Sequence, residues 1–169
     1  MRLPLSARRS LMRKDTVLLE LAIGAGALAY LSSSHGPTPY DALFDSIGRE
    51  LDVPPNMLRA IARVESSFNA SAVNAASGDV GLMQINPATA RALGVTLAAL
   101  SDPATSVRTA ARVLADSRRT LTARGRFSAY TWAMSYNVGP DLSPAEAGAV
   151  YAMKVSWHWT LYDLARLKT

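Results

Sequence analysis

Prolines set beside capping residues punctuate this chain: Asp52-Val53-Pro54-Pro55, Asn86-Pro87, Asp102-Pro103 and Ser143-Pro144. Proline lacks an N–H and fixes φ, so it suits the first turn of a helix and disrupts its interior. These pairs mark helix starts, and the segments between them carry helical rather than strand periodicity. The pattern predicts an all-α chain. Tyr40 to Leu51 forms a first amphipathic helix with Leu43, Phe44, Ile47 and Leu51 on one side, and a second runs from the Pro54-Pro55 pair to about Phe68. Residues 69–86, rich in asparagine, serine and glycine, read as a loop or short hairpin. A short helix from Ala88 to Leu93 is closed by Gly94. A long helix follows from Asp102-Pro103 to about Ala123, then one from Phe127 to Tyr136. Ser143-Pro144-Ala145-Glu146 has the form of a capping box and opens a last helix reaching toward Leu167.

The first 36 residues differ from the rest. Residues 1–14 are basic, Val17 to Leu31 is mostly apolar, and Ser32-Ser33-Ser34 supplies small residues, the order of an export signal. The apolar run is shorter than the roughly 20 residues of a typical membrane span and contains Glu20. Cleavage near Ser34, retention as an inner-membrane anchor, and an ordinary helix packed on the domain are all open readings. Arg8-Arg9-Ser10-Leu11-Met12-Arg13 also has a loose twin-arginine form, so the export route stays open. Gly36-Pro37-Thr38-Pro39 reads as a linker, which divides the chain into 1–36 and a domain at 37–169.

The net charge of +5 does not point to nucleic acid. Five of the 18 basic residues and two of the 13 acidic ones precede residue 21, leaving 13 against 11 in the domain. The absence of cysteine excludes disulfides, thiolate metal sites and a lipidated cysteine anchor. His35 and His158 lie far apart without ligand spacing, so no metal is expected.

Glutamates are few: beyond residue 36 there are only Glu50, Glu65 and Glu146. On a helical wheel of residues 57–68, Glu65 falls between Ile61 and Leu58 on the apolar arc, with Asn56, Arg59, Arg63, Ser66 and Ser67 opposite. Burial disfavours the charged carboxylate and raises its pKa, which suits a proton donor near neutral pH. A carboxyl paired with an arginine for structure is the other reading of the wheel.

Three separated motifs follow in order: Glu65-Ser66-Ser67-Phe68-Asn69, Gly81-Leu82-Met83-Gln84-Ile85-Asn86-Pro87 and Ala133-Met134-Ser135-Tyr136-Asn137-Val138-Gly139-Pro140. Together they resemble the soluble-lytic-transglycosylase-like family of peptidoglycan-cleaving enzymes. Asp102-Pro103 and Tyr151 also fall where that family has similar residues, and the resemblance covers about residues 40–155. The segment from Asp79 to Asn86 is most similar to small specialised members serving secretion, conjugation or phage entry. The resemblance implies a lysozyme-like fold, an exported protein of the periplasm or cell envelope, peptidoglycan as substrate, and no cofactor. It implies that Glu65 alone acts as acid and then base, cleaving between N-acetylmuramic acid and N-acetylglucosamine with a 1,6-anhydro product. A hydrolytic muramidase of the same fold and a non-catalytic wall-binding component are the alternatives.

By the same resemblance, Ser66 or Ser67 bonds the acid or a substrate N-acetyl group, Met83 and Gln84 line the cleft, Tyr136 and Asn137 face substrate, and Tyr151 bonds Glu65. From the residues alone, Met83 and Tyr151 read equally as core, and Asn86 as the cap of the Pro87 helix. Asp79 is the best candidate for a second carboxylate, with turn capping beside Gly78 as the competing reading. Ala70 and Val138 depart from the family's usual proline and alanine. Trp157 and Trp159 fall outside the motifs and read as helix packing, with a partner or sugar surface as the other reading, and Arg118, Arg119, Arg124 and Arg126 as a solvated face at a helix end.

Overall fold

The computed structural model describes residues 35–143 and 145–166. A compact unit begins at Pro37. Its elements are α1 (Asp41–Leu51), α2 (Pro55–Ser66), α3 (Pro87–Ala92), a 3-10 turn (Ala98–Ser101), α4 (Pro103–Ala123), α5 (Ala129–Val138) and α6 (Ala145–Arg166). The expected export signal or anchor and Pro144 of the last capping box lie outside the described residues. Among the described residues no helix is long and apolar enough to cross a membrane.

The capping chemistry sets the boundaries. Asn86 and Asp102 accept from the backbone N–H of Thr89 and Thr105, each with proline next in sequence. Helix α5 starts two residues later than its apolar pattern suggests because Ser128 and Thr131 form a reciprocal capping box. Helix α2 ends at Ser66, before the expected Phe68, because Ser67 and Phe68 both adopt left-handed φ, 51° and 66°. That reversal points the following chain back across the end of α2. Residues 69–86 form a loop held by two isolated antiparallel bridges, Val73 with Val80 and Val80 with Ile85.

Helix α2 lies in the middle of the packing. α6 runs along both α2 and α5, while α4 packs on α1 and α5. Met57, Leu58 and Ile61 of α2 share a core with Phe44, Leu82, Met83, Leu114, Trp132 and Val155. Each such side chain contributes roughly 1.5–3 kcal/mol on burial. The Trp132 indole N–H donates to the carbonyl of Leu114 at 2.8 Å, so its polar edge is satisfied.

The wheel placed Asn56 and Arg59 on the solvent side of α2, yet both are buried. Arg59 Nε donates to Asp41 Oδ1 at 2.9 Å, one terminal nitrogen to Asp45 at 2.8 Å and the other to Asn56 Oδ1 at 2.8 Å. Asn56 donates in turn to Asp163 of α6 at 2.6 Å, and Arg166 donates to Asp45 at 2.7 Å. This ionic network joins α1, α2 and α6 on the side of α2 that carries the arginine. A helix with neighbours on several sides has no free polar face.

The loop after α2 is seated closely on the start of α4. Gly81 has φ +85°, and a Cβ there would lie 2.1 Å from the carbonyl oxygen of Leu100. Both facts require glycine. The Met83 N–H donates to Ser106 Oγ of α4 at 3.1 Å, fixing the loop one residue before Gln84.

Candidate active site

Glu65 sits in the last turn of α2, half-buried, with Tyr151 of α6 donating to its Oε1 at 2.7 Å. Burial pushes its carboxyl from 4.5 up to about 7. The Tyr151 bond opposes that push, because it favours the ionised form, and the Asp79 carboxylate adds to it by like-charge repulsion. Near neutral pH the group is therefore divided between its acid and base forms.

Two tyrosines frame it. The rings of Tyr136 and Tyr151 lie nearly parallel, 17° apart with centroids 6.4 Å apart. Tyr136 Oη donates to the Met83 carbonyl at 2.8 Å. Burial first, and then the charge of Glu65, holds both phenols well above their ordinary range, so both remain hydrogen-bond donors. Tyr151→Phe is expected to move the Glu65 titration above about 7, since the hydrogen bond that favours the carboxylate is lost. Carboxyl carbon chemical shifts followed against pH would show this, and a midpoint that stayed or fell would contradict it.

Ser66 Oγ donates to the carbonyl of Leu82 at 2.7 Å, with Ala62 at 3.2 Å, and so ties the end of α2 to the glycine-flanked loop. Gln84, at φ 47°, donates through Nε2 to the carbonyls of Ala72 and Gly81 at 3.1 and 3.0 Å and braces the same loop from within. Met83 is fully buried in the core. Its carbonyl, rather than its side chain, meets Tyr136. Ser67 and Asn137 are exposed. Asp79 Oδ2 accepts from Ser77 Oγ at 2.7 Å, and the Asp79 carbonyl accepts from the Asn74 N–H at 2.9 Å.

The structure thus brings Glu65, Tyr136, Tyr151 and the Met83 backbone together, with Ser66 and Gln84 holding the loop that supplies the carbonyl. Apolar patterning gave no signal for the Leu82 and Met83 carbonyls, because a backbone acceptor has no residue type. Among the described residues no group of three or more histidine, aspartate or glutamate side chains could hold a metal ion.

The model of the transglycosylase SLT domain matches residues 42–152, about two thirds of the chain, and spans every residue of this site. The chain belongs to the transglycosylase SLT domain family. As an SLT domain it has the all-α, lysozyme-like fold of solved lytic transglycosylases. It is similar to the 70 kDa soluble lytic transglycosylase SLT70 of Escherichia coli, with a TM-score of 0.63 and 22% identity over 79% of this chain and 25% of that one. It is also similar to an inactive mutant of lytic transglycosylase Slt from Pseudomonas aeruginosa, with a TM-score of 0.59 and 21% identity over 75% of this chain and 24% of that one. In sequence it is 48% identical to protein IpgF of Shigella flexneri over 46 residues, which are 25% of this chain and 30% of IpgF. The SLT domain therefore matches about a quarter to a third of the length of these relatives.

Proposed function

We propose that this protein is a peptidoglycan lytic transglycosylase, with Glu65 as its single acid and base. The observation that carries the reading is the half-buried Glu65 carboxyl, raised to about 7 and steered by Tyr151. An acid of that strength can protonate a leaving oxygen at neutral pH and, once ionised, take a proton back. In the proposed cycle Glu65 protonates the glycosidic oxygen between N-acetylmuramic acid and N-acetylglucosamine, and the C1–O bond breaks as positive charge develops on the muramic ring. The Glu65 carboxylate then removes the proton from that sugar's C6 hydroxyl. O6 bonds to C1, closing the 1,6-anhydro ring and returning Glu65 to its acid form. Tyr136 supplies a flat apolar face for a sugar ring, the buried Tyr151 behind it holds the Glu65 carboxyl, and the exposed Ser67 and Asn137 supply polar contacts at the edge of the site.

The substrate lies outside the cytoplasmic membrane, which suits the reading of residues 1–36 as an export signal or anchor. A local opening in the wall for a secretion, conjugation or phage-entry apparatus is the purpose in keeping with the Asp79-to-Asn86 segment. Mass spectrometry of glycan released from purified sacculi tests the chemistry. Anhydro-muramic ends are expected, one water lighter than the reducing ends left by a muramidase. Release of reducing ends alone would favour hydrolysis on the same fold, and no release at all would favour a wall-binding component.

A further inference from the structure

Helix α6 carries apolar residues on two opposite sides. Gly148, Tyr151, Ala152, Val155, Leu161 and Tyr162 turn to the core. On the other side Val150, Met153, Trp157 and Leu164 are exposed, Met153 at 62% and Trp157 at 60%. Their spacing is that of a single stripe down a helix. Trp159 packs partly against the core, as the helix-packing reading expects, whereas Trp157 does not. Tyr130 of α5 is exposed as well, and its hydroxyl donates to the Ala149 carbonyl at 3.2 Å, which brings it to the start of the stripe. Single apolar side chains on a surface need no explanation, but a contiguous patch of them marks a contact surface.

Charge and symmetry decide what covers it. An anionic lipid surface would select basic residues along the edges of the stripe. Here that side of α6 carries one charge of each sign, Glu146 in the first turn and Lys154 on the flank. Asp163 and Arg166 are turned into the network with Asn56 and Asp45. A sugar platform needs hydrogen-bonding groups placed around the aromatic ring, whereas Trp157 shares its stripe with Val150, Met153 and Leu164. What the stripe does match is itself. Val150 and Leu164 stand seven residues to either side of Trp157, so a two-fold axis near Trp157 brings Val150 of one copy over Leu164 of the other. Such self-complementarity is the condition for an isologous dimer. The direction follows from Glu146. Parallel helices would set two Glu146 carboxylates together, while antiparallel ones hold them roughly 33 Å apart.

We infer that the exposed face of α6 is a self-association surface, on which a second copy of this chain packs antiparallel with Trp157 near the centre. A helix of the length of α6 presents a strip about 33 Å long and about 10–12 Å wide, so each copy contributes on the order of 400 Å². That is below the size of a standard interface, and the dimer is accordingly weak and reversible. Tyr151, which bonds Glu65, lies on the core-facing side of α6, so the seam draws on no residue of the candidate active site.

Sedimentation equilibrium of the full-length chain, up to millimolar concentration, is the test. The wild type is expected to pass from monomer to dimer across that range. Trp157→Glu and Met153→Lys, both at exposed positions, are expected to weaken association about tenfold or more. Val73→Glu, at an exposed apolar position in the loop after α2, is expected to leave it unchanged. Direction is read from single cysteines, since the chain has none of its own. A short bis-maleimide should join Thr160→Cys into a dimer, because residue 160 lies close to the axis. It should not join Ala147→Cys, whose copies lie roughly 30 Å apart. A wild type that stays monomeric, or association that survives both α6 substitutions in proteins that melt cooperatively, would overturn the inference. If Trp157→Glu does not fold, Met153→Lys carries the comparison alone. Bridging of Ala147→Cys would overturn the antiparallel arrangement. A monomer whose Trp157 fluorescence shifts on adding phosphatidylglycerol vesicles would assign the face to lipid instead of a second copy.

Discussion

Replacing Glu65 with glutamine is expected to abolish glycan release and, at the same time, to make the protein more stable at pH 8. The amide has neither a proton to give nor a basic oxygen to take one back, and loss of general acid–base catalysis alone costs about 10²–10⁴-fold. Because the same group performs both proton transfers in the proposed cycle, the loss should lie at the upper end of that range. The stability gain follows from the raised pKa. The carboxyl rises from 4.5 to about 7 on folding, so its neutral form is the one the fold prefers. Its contribution is full below about 4.5 and is lost as pH rises through about 7. Above that the folded state carries a carboxylate that would ionise more readily in the unfolded chain. A difference of that size corresponds to about 3 kcal/mol at pH 8, or a shift in Tm on the order of 10 °C. At pH 4 the acid and the amide are nearly isosteric and equally neutral, so the two proteins should melt together. Thermal melts at both pH values, beside release assays on sacculi, would check this. Equal melting at pH 8 would mean that Glu65 is not held against ionisation, and undiminished release would remove it as the acid.

Arg59→Ala is expected to cause the largest loss of stability, toward about 3 kcal/mol at pH 7. Removing one partner from a buried ionic network leaves charges that were desolvated in anticipation of it. Asp41 and Asp45 lose their buried partner, Asn56 loses a donor, and the guanidinium leaves the face of Phe44, which it covers at 5.6 Å. Asp45 keeps Arg166 and both carboxylates are partly exposed, which holds the loss near the lower end of the range for broken buried pairs. Burial by itself pushes Asp41 up, but bonds from Thr38 and Arg59 outweigh it and leave the carboxyl below its ordinary value. Asp45 follows the same balance with Arg59 and Arg166. Groups lowered in this way stabilise the fold above about 3.8 and cease to do so as pH falls through their folded values. The penalty of Arg59→Ala should therefore be largest at neutral pH and shrink progressively as pH falls below about 3.8 and the two aspartates take up protons. Urea unfolding of both proteins at pH 7 and pH 3 would measure it. A penalty independent of pH would assign the loss to packing instead.

The helices were legible because proline and capping side chains act locally: Asn86, Asp102 and Ser128 each meet a backbone N–H three residues on. The errors at the end of α2 and the start of α5 have the same origin. Ser67 and Phe68 take a left-handed conformation imposed by the loop that must return across α2, and no residue type announces it. Glu65 could be placed inward from Ile61 and Leu58 alone. Arg59 could not, because a wheel assumes one wet side, and the aspartates that make its burial tolerable come from α1. Tyr151 lies 86 residues from the carboxyl it bonds. Periodicity cannot connect such a pair; only the motif resemblance singled it out. Of Ser66 and Gln84, the sequence revealed polarity but not direction, and both turn their donors to loop carbonyls.

Glu65 lies at the carboxyl end of α2, two residues before the first of the two left-handed positions that close the helix. Peptide dipoles sum along a helix to roughly half a negative charge at that end. The consequence is a bias in which sign of charge the site welcomes. A carboxylate there meets an adverse field, whereas a sugar ring turning positive as its glycosidic bond opens would meet a favourable one. Under the proposed chemistry, one piece of backbone would then serve both halves of the cycle: it discourages early loss of the proton, and it steadies the cation once that proton has been given away.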